Sequence, residues 1–273
     1  MNIELHGLVE QTNEEYHSGD GVSKSHLDVV AKSPLHYWSK YLDPNREPEA
    51  PTAAMILGTA THSAVLEPDL FPSQFTHMPE GLDRRTKVGK EAYEALQESG
   101  KTILSLEDYQ LCLAMRDAVH AHPIAKSLFQ DGKAEQSFYC TETETGELVK
   151  CRPDWITGNG VLVDLKTTDD ASPDGFAKSA ANFRYYVQAP YYMDILERLY
   201  GEAPPYFIFA AVEKKRPHAV AVYFVDNDEM ALGRAQYMKD LQRISECKSA
   251  QQWPGYSDQI EALRLPKWLK TAV

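Results

Sequence analysis

The segment between residues 134 and 168 constrains the fold most, because strand-forming runs alternate there with tight turns. We expect strands over 134–140, 147–156 and 160–168, with glycine-containing turns between them. The last strand, GVLVDLKTT, begins as an apolar, β-branched run that is typical of a buried strand. A chain with this segment must build a sheet and cover it.

Helical patterns lie on both sides of this segment. In chain order they are expected over 24–31, 34–41, 52–66 and 105–121, then within 172–200 and over 226–246. Two more strands are expected over 205–213 and 218–225. This order predicts an α/β (α+β) fold, with a mixed sheet packed by helices.

We expect a single domain over residues 1–273. Its parts are a mainly helical region (1–130), a sheet core (131–246) and a C-terminal tail (247–273). A chain of this length buries enough apolar surface to fold without disulfides or structural metals. The four cysteines follow no CxxC pattern, so neither a zinc ribbon nor a disulfide framework is expected.

Location and partners are restricted by the charge pattern. No apolar run reaches the ~18–20 residues that span a bilayer, and the first 20 residues lack Lys and Arg, so we expect a cytoplasmic protein. The net charge of −12 argues against loose coating of DNA. Residues 231–273 nevertheless carry a net +3, and a second basic cluster comprises Arg84, Arg85, Lys87 and Lys90. A local basic groove is therefore compatible with the composition.

An acid and a lysine share one face of the strand 160–168. Side chains alternate along a strand, so Asp164 and Lys166 point the same way, opposite to Val163 and Leu165. Asp154 lies near the end of the preceding predicted strand, and the hairpin can bring it close to Asp164. Two adjacent carboxylates ionise together only with a cation between them, and Mg²⁺ commonly uses one or two carboxylates. The alternative is a solvated acid–lysine pair on an exposed strand face.

The order Asp154 … Asp164-Leu165-Lys166 resembles the PD-(D/E)XK nuclease core. Within it, the chain resembles the exonuclease VIII (RecE-type) nucleases of phage recombination systems, relatives of lambda exonuclease and the RecB nuclease domain. The segments that carry the likeness are SKSHLDVVAKSPLHYW (23–38), GTATHSAVLEPDLF (58–71), RRTKVGK (84–90), KCRPDW (150–155), VDLKTT (163–168) and YYVQAPYY (185–192). The resemblance implies a restriction-endonuclease-like core with a helical N-terminal part.

The same resemblance implies an activity. It is that of a metal-dependent exonuclease that digests one strand of linear double-stranded DNA, 5′→3′, and leaves 3′ overhangs for a single-strand annealing protein (RecT-like or Bet-like). It also implies a ring of three or four copies, in a bacterial or phage-infected cell. Two other functions stay open, namely a catalytically silent DNA-binding or interaction module and a structure-selective endonuclease.

Residue roles follow from the resemblance position by position. Asp154 and Asp164 are the metal-binding acids, Lys166 is the catalytic lysine and the backbone carbonyl of Leu165 is a further ligand. His62 resembles the helix histidine that approaches the metal from the other side; alternatively, it is a core histidine. The cofactor is Mg²⁺, as one or two ions, with Mn²⁺ able to substitute because imidazole favours Mn²⁺.

Further candidates surround this set. Gln188 and Tyr192 match a Gln-x-x-x-Tyr pattern and share a helix face, although Pro190 between them must start or kink the helix. Their alternative is core packing. Glu67 is a further metal-ligand candidate, and Glu135 could also face the site.

Basic residues supply the candidates for phosphate binding. The cluster Arg84, Arg85, Lys87 and Lys90 resembles the segment near which DNA enters such enzymes, where an arginine would hold a 5′-phosphate. Lys214, Lys215 and Arg216 form a weaker phosphate candidate. For both groups, the alternative is an ordinary solvated face.

Overall fold

A computed structural model describes residues 6–47, 49–83 and 85–265. Its helices, in chain order, are α1 (Asn13–Ser18), α2 (Lys24–Val30), α3 (Pro34–Tyr37, continued by a π-helical turn over Trp38–Leu42), α4 (Ala53–Leu66), α5 (Phe71–Gln74), α6 (Lys87–Glu98), α7 (Leu106–Ala121), α8 (Pro123–Leu128), α9 (Pro173–Asn182), α10 (Tyr185–Tyr200) and α11 (Asn227–Ala250). Within the described ranges, no helix is long and apolar enough to cross a membrane.

Among the residues that the structure describes, the strands form three sheets. They are β1 (Gly7–Val9), β2 (Phe75–His77), β3 (Thr102–Leu104), β4 (Gly132–Ala134), β5 (Ser137–Thr141), β6 (Leu148–Cys151), β7 (Trp155–Thr157), β8 (Leu162–Thr168), β9 (Phe207–Glu213) and β10 (Val220–Phe224). The central sheet has the order β10-β9-β8-β7-β4, and β8 and β9 are its parallel pair. A second sheet has the order β1-β5-β6, and β2 pairs with β3. The predicted mixed sheet packed by helices is confirmed.

Local sequence explains where several helices begin. The side chains of Thr52, Ser105 and Ser172 each accept a hydrogen bond from the backbone three residues on, which satisfies amides that would otherwise lack partners. These residues stand directly before α4, α7 and α9. The capping signals therefore set the start of the helix that carries His62 and of the helix that precedes α10.

The two faces of β8 enter different parts of the core. Val163 and Leu165 pack in a cluster that also contains residues of α4 and α7, whereas Leu162 belongs to the cluster around α10 and α11. This is the alternation expected from a period of two. Helices therefore cover both faces of the central sheet, and polar residues on the Leu162 face lie under α10.

The three turn-connected strands expected over 134–140, 147–156 and 160–168 do not form one continuous sheet. The expected strand 147–156 is divided into β6 and β7, which belong to different sheets, and 134–140 is likewise divided between β4 and β5. Pro153 lacks the amide that a ladder needs, and Glu135 adopts a positive φ of 53° that no regular strand allows. Asp154 consequently lies in a bend before β7 rather than within a strand.

Helix α10 begins at Tyr185 and continues through Pro190, so Pro190 does not start the helix. Pro190 cannot donate a hydrogen bond to the Tyr186 carbonyl one turn earlier. Gly233 of α11 lies against that carbonyl, since a β-carbon at position 233 would be 1.9 Å from the Tyr186 oxygen. Helices α10 and α11 can approach closely because Gly233 of α11, which has no side chain, lies against Pro190 of α10.

Replacing Gly233 with alanine is therefore expected to destabilise the protein by about 1–3 kcal/mol, through overpacking between α10 and α11. Urea unfolding of both proteins measures the difference. Gly58→Ala is the matched control, because a β-carbon at that helical position meets no atom within 4 Å. It should be neutral or stabilising by up to about 1 kcal/mol. Equal stability of Gly233→Ala and the parent would contradict the close approach.

Candidate active site

A cavity of about 850 Å³ opens beside the end of β8. Side chains from several elements line it, including α1, α2, α4, α10 and the bend before β7. Its candidate site residues are His62, Glu67, Glu135, Asp154, Asp164, Lys166, Gln188 and Tyr192. The fold thus brings together residues that are more than 120 positions apart in the sequence.

Asp164 and Lys166 lie on the same face of β8, as their spacing predicts. Asp164 is almost fully buried, and its Oδ1 contacts the Lys166 ammonium. Oδ2 accepts a hydrogen bond from Gln188 Nε2. Burial and the charge of Asp154 raise the pKa of Asp164 to about 6, although Lys166 opposes the shift. The fold therefore buries a carboxylate whose negative charge is only partly compensated by the Lys166 ammonium.

Asp154 approaches β8 from the bend that precedes β7. The register pairs Trp155 with Val163, so one further step would place Asp154 opposite Asp164. Instead its Oδ2 accepts hydrogen bonds from the Leu165 amide at 2.8 Å and from His62 Nε2 at 3.0 Å. Burial opposes ionisation, but His62, Lys166 and the Leu165 amide together lower the pKa of Asp154 below its ordinary value.

His62 reaches the site from α4. Its Nδ1 lies 2.8 Å from the Gly58 carbonyl, so this nitrogen must carry a proton and Nε2 faces Asp154. Burial would lower the pKa of His62, but the neighbouring Asp154 carboxylate outweighs it and raises the pKa to about 9. The ring is therefore an imidazolium at neutral pH in the metal-free protein. After loss of the Nε2 proton, it would present a lone pair towards Asp154.

Glu135 faces the same cluster from the turn between β4 and β5. Its backbone amide donates to the Asp154 carbonyl at 3.1 Å, and its carboxylate accepts from Arg152 Nε at 2.8 Å. Burial and the Asp154 charge raise the pKa of Glu135 to about 7. Arg152 also bonds Ser137 Oγ and the Gln11 carbonyl. Sequence reasoning missed Arg152, although it stands two residues before Asp154.

Helix α10 covers the site from above Asp164. Gln188 and Tyr192 share the face that lines the cavity, and burial raises the pKa of the Tyr192 hydroxyl well above its usual range. Tyr185 is a second residue that sequence reasoning missed. Its ring centroid lies 4.7 Å from Lys166 Nζ, which is a cation–π distance. Its position at the start of α10, one turn before Gln188, is the only signal that could have identified it.

The remaining candidates are less closely tied to the cluster. Glu67 caps the C-terminus of α4 and lines the cavity. The role of the Leu165 carbonyl as a metal ligand stays a prediction. Arg84 lies outside the described residues. Arg85 pairs with Asp83, and Arg85, Lys87 and Lys90 do not line the cavity. Lys214 pairs with Asp169 at 2.9 Å, and the segment 214–216 also lies outside the lining.

The donor set fits a hard divalent cation. Asp154 contacts the His62 ring and Asp164 lines the same cavity. The buried Asp164 Oδ1 has no hydrogen-bond partner among the described residues, although the Lys166 ammonium touches it. In the residues that the structure describes, no three His, Cys, Asp or Glu side chains already surround a common point. Such an ion would thus compete with His62 for Asp154 and with Lys166 for Asp164. Sites for Mg²⁺ commonly use only one or two carboxylates, so the set is sufficient.

Comparison with known proteins shows the family and the fold of the chain. The sequence model of a family described as "PDDEXK-like domain of unknown function (DUF3799)" matches residues 23–266. No curated protein matches the chain. Among solved structures, a protein described as "Putative exonuclease" from Eubacterium rectale is 14% identical with a TM-score of 0.66, over 97% of this chain and 98% of that chain. Another, SSO0001, is 13% identical with a TM-score of 0.29, over 69% of this chain and 86% of that chain. The first likeness shows a shared fold.

Proposed function

Because the chain belongs to the family of PDDEXK-like domains, we propose that it is a metal-dependent nuclease that hydrolyses phosphodiester bonds. One observation carries the proposal. Asp154, Asp164 and Lys166 line one cavity, and His62 contacts Asp154 there. Two acids, an ammonium group and an imidazole at one site are the groups that metal-assisted phosphate hydrolysis requires.

Asp154 and Asp164 would hold the cation, with His62 as a further ligand. A bound divalent ion lowers the pKa of a water molecule and offsets charge on the scissile phosphate. We propose Mg²⁺ as the cofactor, with Mn²⁺ able to substitute and one or two ions in each site. The Gly58 carbonyl fixes the His62 ring so that Nε2 is the nitrogen presented, an arrangement common among metal-binding histidines.

The other groups act on charge and orientation. The Lys166 ammonium lies beside Asp164 and over the Tyr185 ring, where it can stabilise negative charge on the phosphate oxygens. Gln188 Nε2 fixes one oxygen of Asp164. Since Asp164 is buried, this bond limits the carboxylate to one orientation towards the cavity.

We propose further that the substrate is an end of linear double-stranded DNA. The candidate cluster lines a half-open cavity of about 850 Å³, which has room for the end of a strand. The resemblance to RecE-type nucleases supports 5′→3′ digestion, 3′ overhangs for a RecT-like or Bet-like annealing protein, and a ring of three or four copies. In a ring, modest basic patches from several copies would converge on the duplex, which reconciles DNA binding with a net charge of −12.

Digestion of labelled DNA tests this function. With Mg²⁺, linear duplex labelled at either end should be degraded from its 5′ ends, and EDTA should stop the reaction. Covalently closed circles should stay intact. Cutting of closed circles would instead identify a structure-selective endonuclease. Binding of the duplex without degradation would identify a silent DNA-binding module.

Metal binding should release protons, and its affinity should rise with pH. At neutral pH, His62 is protonated in the metal-free protein, because its pKa is raised to about 9. A cation at Nε2 must displace that proton, so binding strengthens as the pH rises towards 9. Calorimetric Mn²⁺ titration at pH 7.5, in two buffers of different ionisation enthalpy, should count about one released proton. On binding Mn²⁺, the His62→Gln protein should release fewer protons than the parent. Equal proton release by both proteins would contradict the ligand role of His62.

A further inference from the structure

We propose that Phe183 is a stacking platform for an unpaired nucleobase, next to Tyr185 of the candidate active site. The inference rests on the proposed function, because the base would belong to the strand whose phosphate lies at Lys166. The site is defined by the exposed Phe183 ring, with Tyr185 beneath it. Its ligand class is a nucleobase in a single-stranded segment.

The platform is the outer layer of an ordered stack. Phe183 and Tyr185 are stacked, with ring centroids 5.7 Å apart and an interplanar angle of 23°. The Tyr185 centroid in turn lies 4.7 Å from Lys166 Nζ. The Tyr185 ring therefore contacts both the Lys166 ammonium and the exposed Phe183 ring.

The inner ring of the stack is firmly held. Tyr185 packs against Phe176 and Phe209, with centroid distances of 6.0 Å and 5.6 Å. Phe176 and Phe209 belong to the buried core. A base that stacks on Phe183 would thus rest on a column of rings anchored in the core, and it would lose little by ordering its platform.

The backbone around Phe183 is also fixed. The Phe183 carbonyl accepts a hydrogen bond from Lys24 Nζ at 2.6 Å. The next residue, Arg184, adopts the left-handed conformation with φ of 55°, which is costly for a residue other than glycine. Its guanidinium bonds the Leu27 carbonyl, Asp28 and Asp240. These bonds hold the strained link between α9 and α10, and with it the backbone at Phe183.

Exposing the Phe183 side chain to water does not by itself stabilise the fold. The residue is 60% exposed, although burial of a phenylalanine side chain is strongly favourable. A flat aromatic face in water suits a base, since every base has a π face and stacking tolerates any sequence. Lys24 and Lys166 line the cavity beside the stack, where they pair with Asp28 and Asp164. Their ammonium groups would contact the backbone phosphates of that strand.

Fluorescence of 2-aminopurine tests the platform directly. Single-stranded oligonucleotides with 2-aminopurine at successive positions from the 5′ end are titrated with the full-length protein in EDTA. Stacking should quench one position selectively. Phe183→Ala should abolish that quenching and weaken binding about 5- to 100-fold. Phe183→Trp should retain both the quenching and the affinity of the parent. The matched control is Phe224→Ala, because Phe224 is 66% exposed but lines a different cavity, beside Met193 and Arg234. It should bind as the parent does.

An oligonucleotide that is abasic at the quenched position completes the test. The parent and Phe183→Ala should bind it with equal affinity, because the missing base removes the contact that the substitution removes. An affinity loss in Phe183→Ala that is as large on the abasic strand, or no loss on the intact strand, would overturn the proposal. Since EDTA prevents hydrolysis, these outcomes are independent of whether the protein cleaves DNA with Mg²⁺.

Discussion

Replacing Asp164 with asparagine is expected to reduce Mg²⁺-dependent hydrolysis of duplex DNA by about 1,000-fold or more. The substitution keeps the shape of the side chain but removes the charge that binds the cation. Metal assistance contributes several kcal/mol to stabilisation of the transition state, and each ~1.4 kcal/mol corresponds to a tenfold change in rate. Initial rates on end-labelled linear duplex, at saturating Mg²⁺, measure the loss.

Folding of the variant must be checked separately. The pKa of Asp164 is raised to about 6 in the folded protein, so this group contributes stability at low pH and loses it as the pH rises through that value. At pH 7.5 its charge is therefore unfavourable, and the metal-free Asp164→Asn protein should melt no lower than the parent. Asp194→Asn is the matched control. Asp194 is also buried, but Arg234 and Tyr237 bind it and it does not line the cavity. That variant should hydrolyse DNA at the parent rate, and similar losses in both variants would contradict the assignment.

Replacing Lys166 with glutamine should separate catalysis from metal binding. We expect kcat to fall about 100- to 1,000-fold, because the ammonium no longer stabilises charge on the phosphate. Affinity for Mn²⁺ should stay the same or rise. In the metal-free protein the ammonium occupies the Asp164 oxygen that a cation would need, so its removal frees a ligand.

Two measurements on the Lys166→Gln protein decide this point. Single-turnover cleavage gives the chemical rate, and calorimetric titration with Mn²⁺ gives the affinity. A variant that loses Mn²⁺ binding in proportion to its activity would show that Lys166 acts by holding the site together. A variant with unchanged kcat would show that the lysine is only part of an ion pair.

Much of the sheet could be predicted because it depends on local alternation. The period of two along 160–168 is sufficient to place Asp164 and Lys166 on one face, opposite to Val163 and Leu165, and the structure shows that arrangement. The helix starts at Thr52 and Ser105 were also predictable, since capping depends on neighbouring residues. Membership of the PD-(D/E)XK superfamily is also confirmed. It could be predicted because the motif Asp154 … Asp164-Leu165-Lys166 lies in one short stretch of sequence.

The route by which Asp154 reaches the site was not predictable from local pattern. The sequence predicts a single hairpin, but Pro153 ends the ladder and the chain changes sheets before Trp155. The pair Glu135–Arg152 and the ring of Tyr185 depend on contacts between distant elements, on which periodicity has no bearing. The roles of His62, Gln188 and Tyr192 stay predictions, although all three side chains line the cavity.

Anomalous diffraction from crystals soaked in Mn²⁺ tests the central claim most directly. The account predicts a peak between Asp154 and Asp164, with a carboxylate oxygen of each at about 2.0–2.3 Å. The His62 ring should have exchanged its contact with Asp154 for the ion. A peak elsewhere in the cavity, or a soaked crystal in which His62 still bonds Asp154 and Lys166 still contacts Asp164, would contradict the proposed metal site.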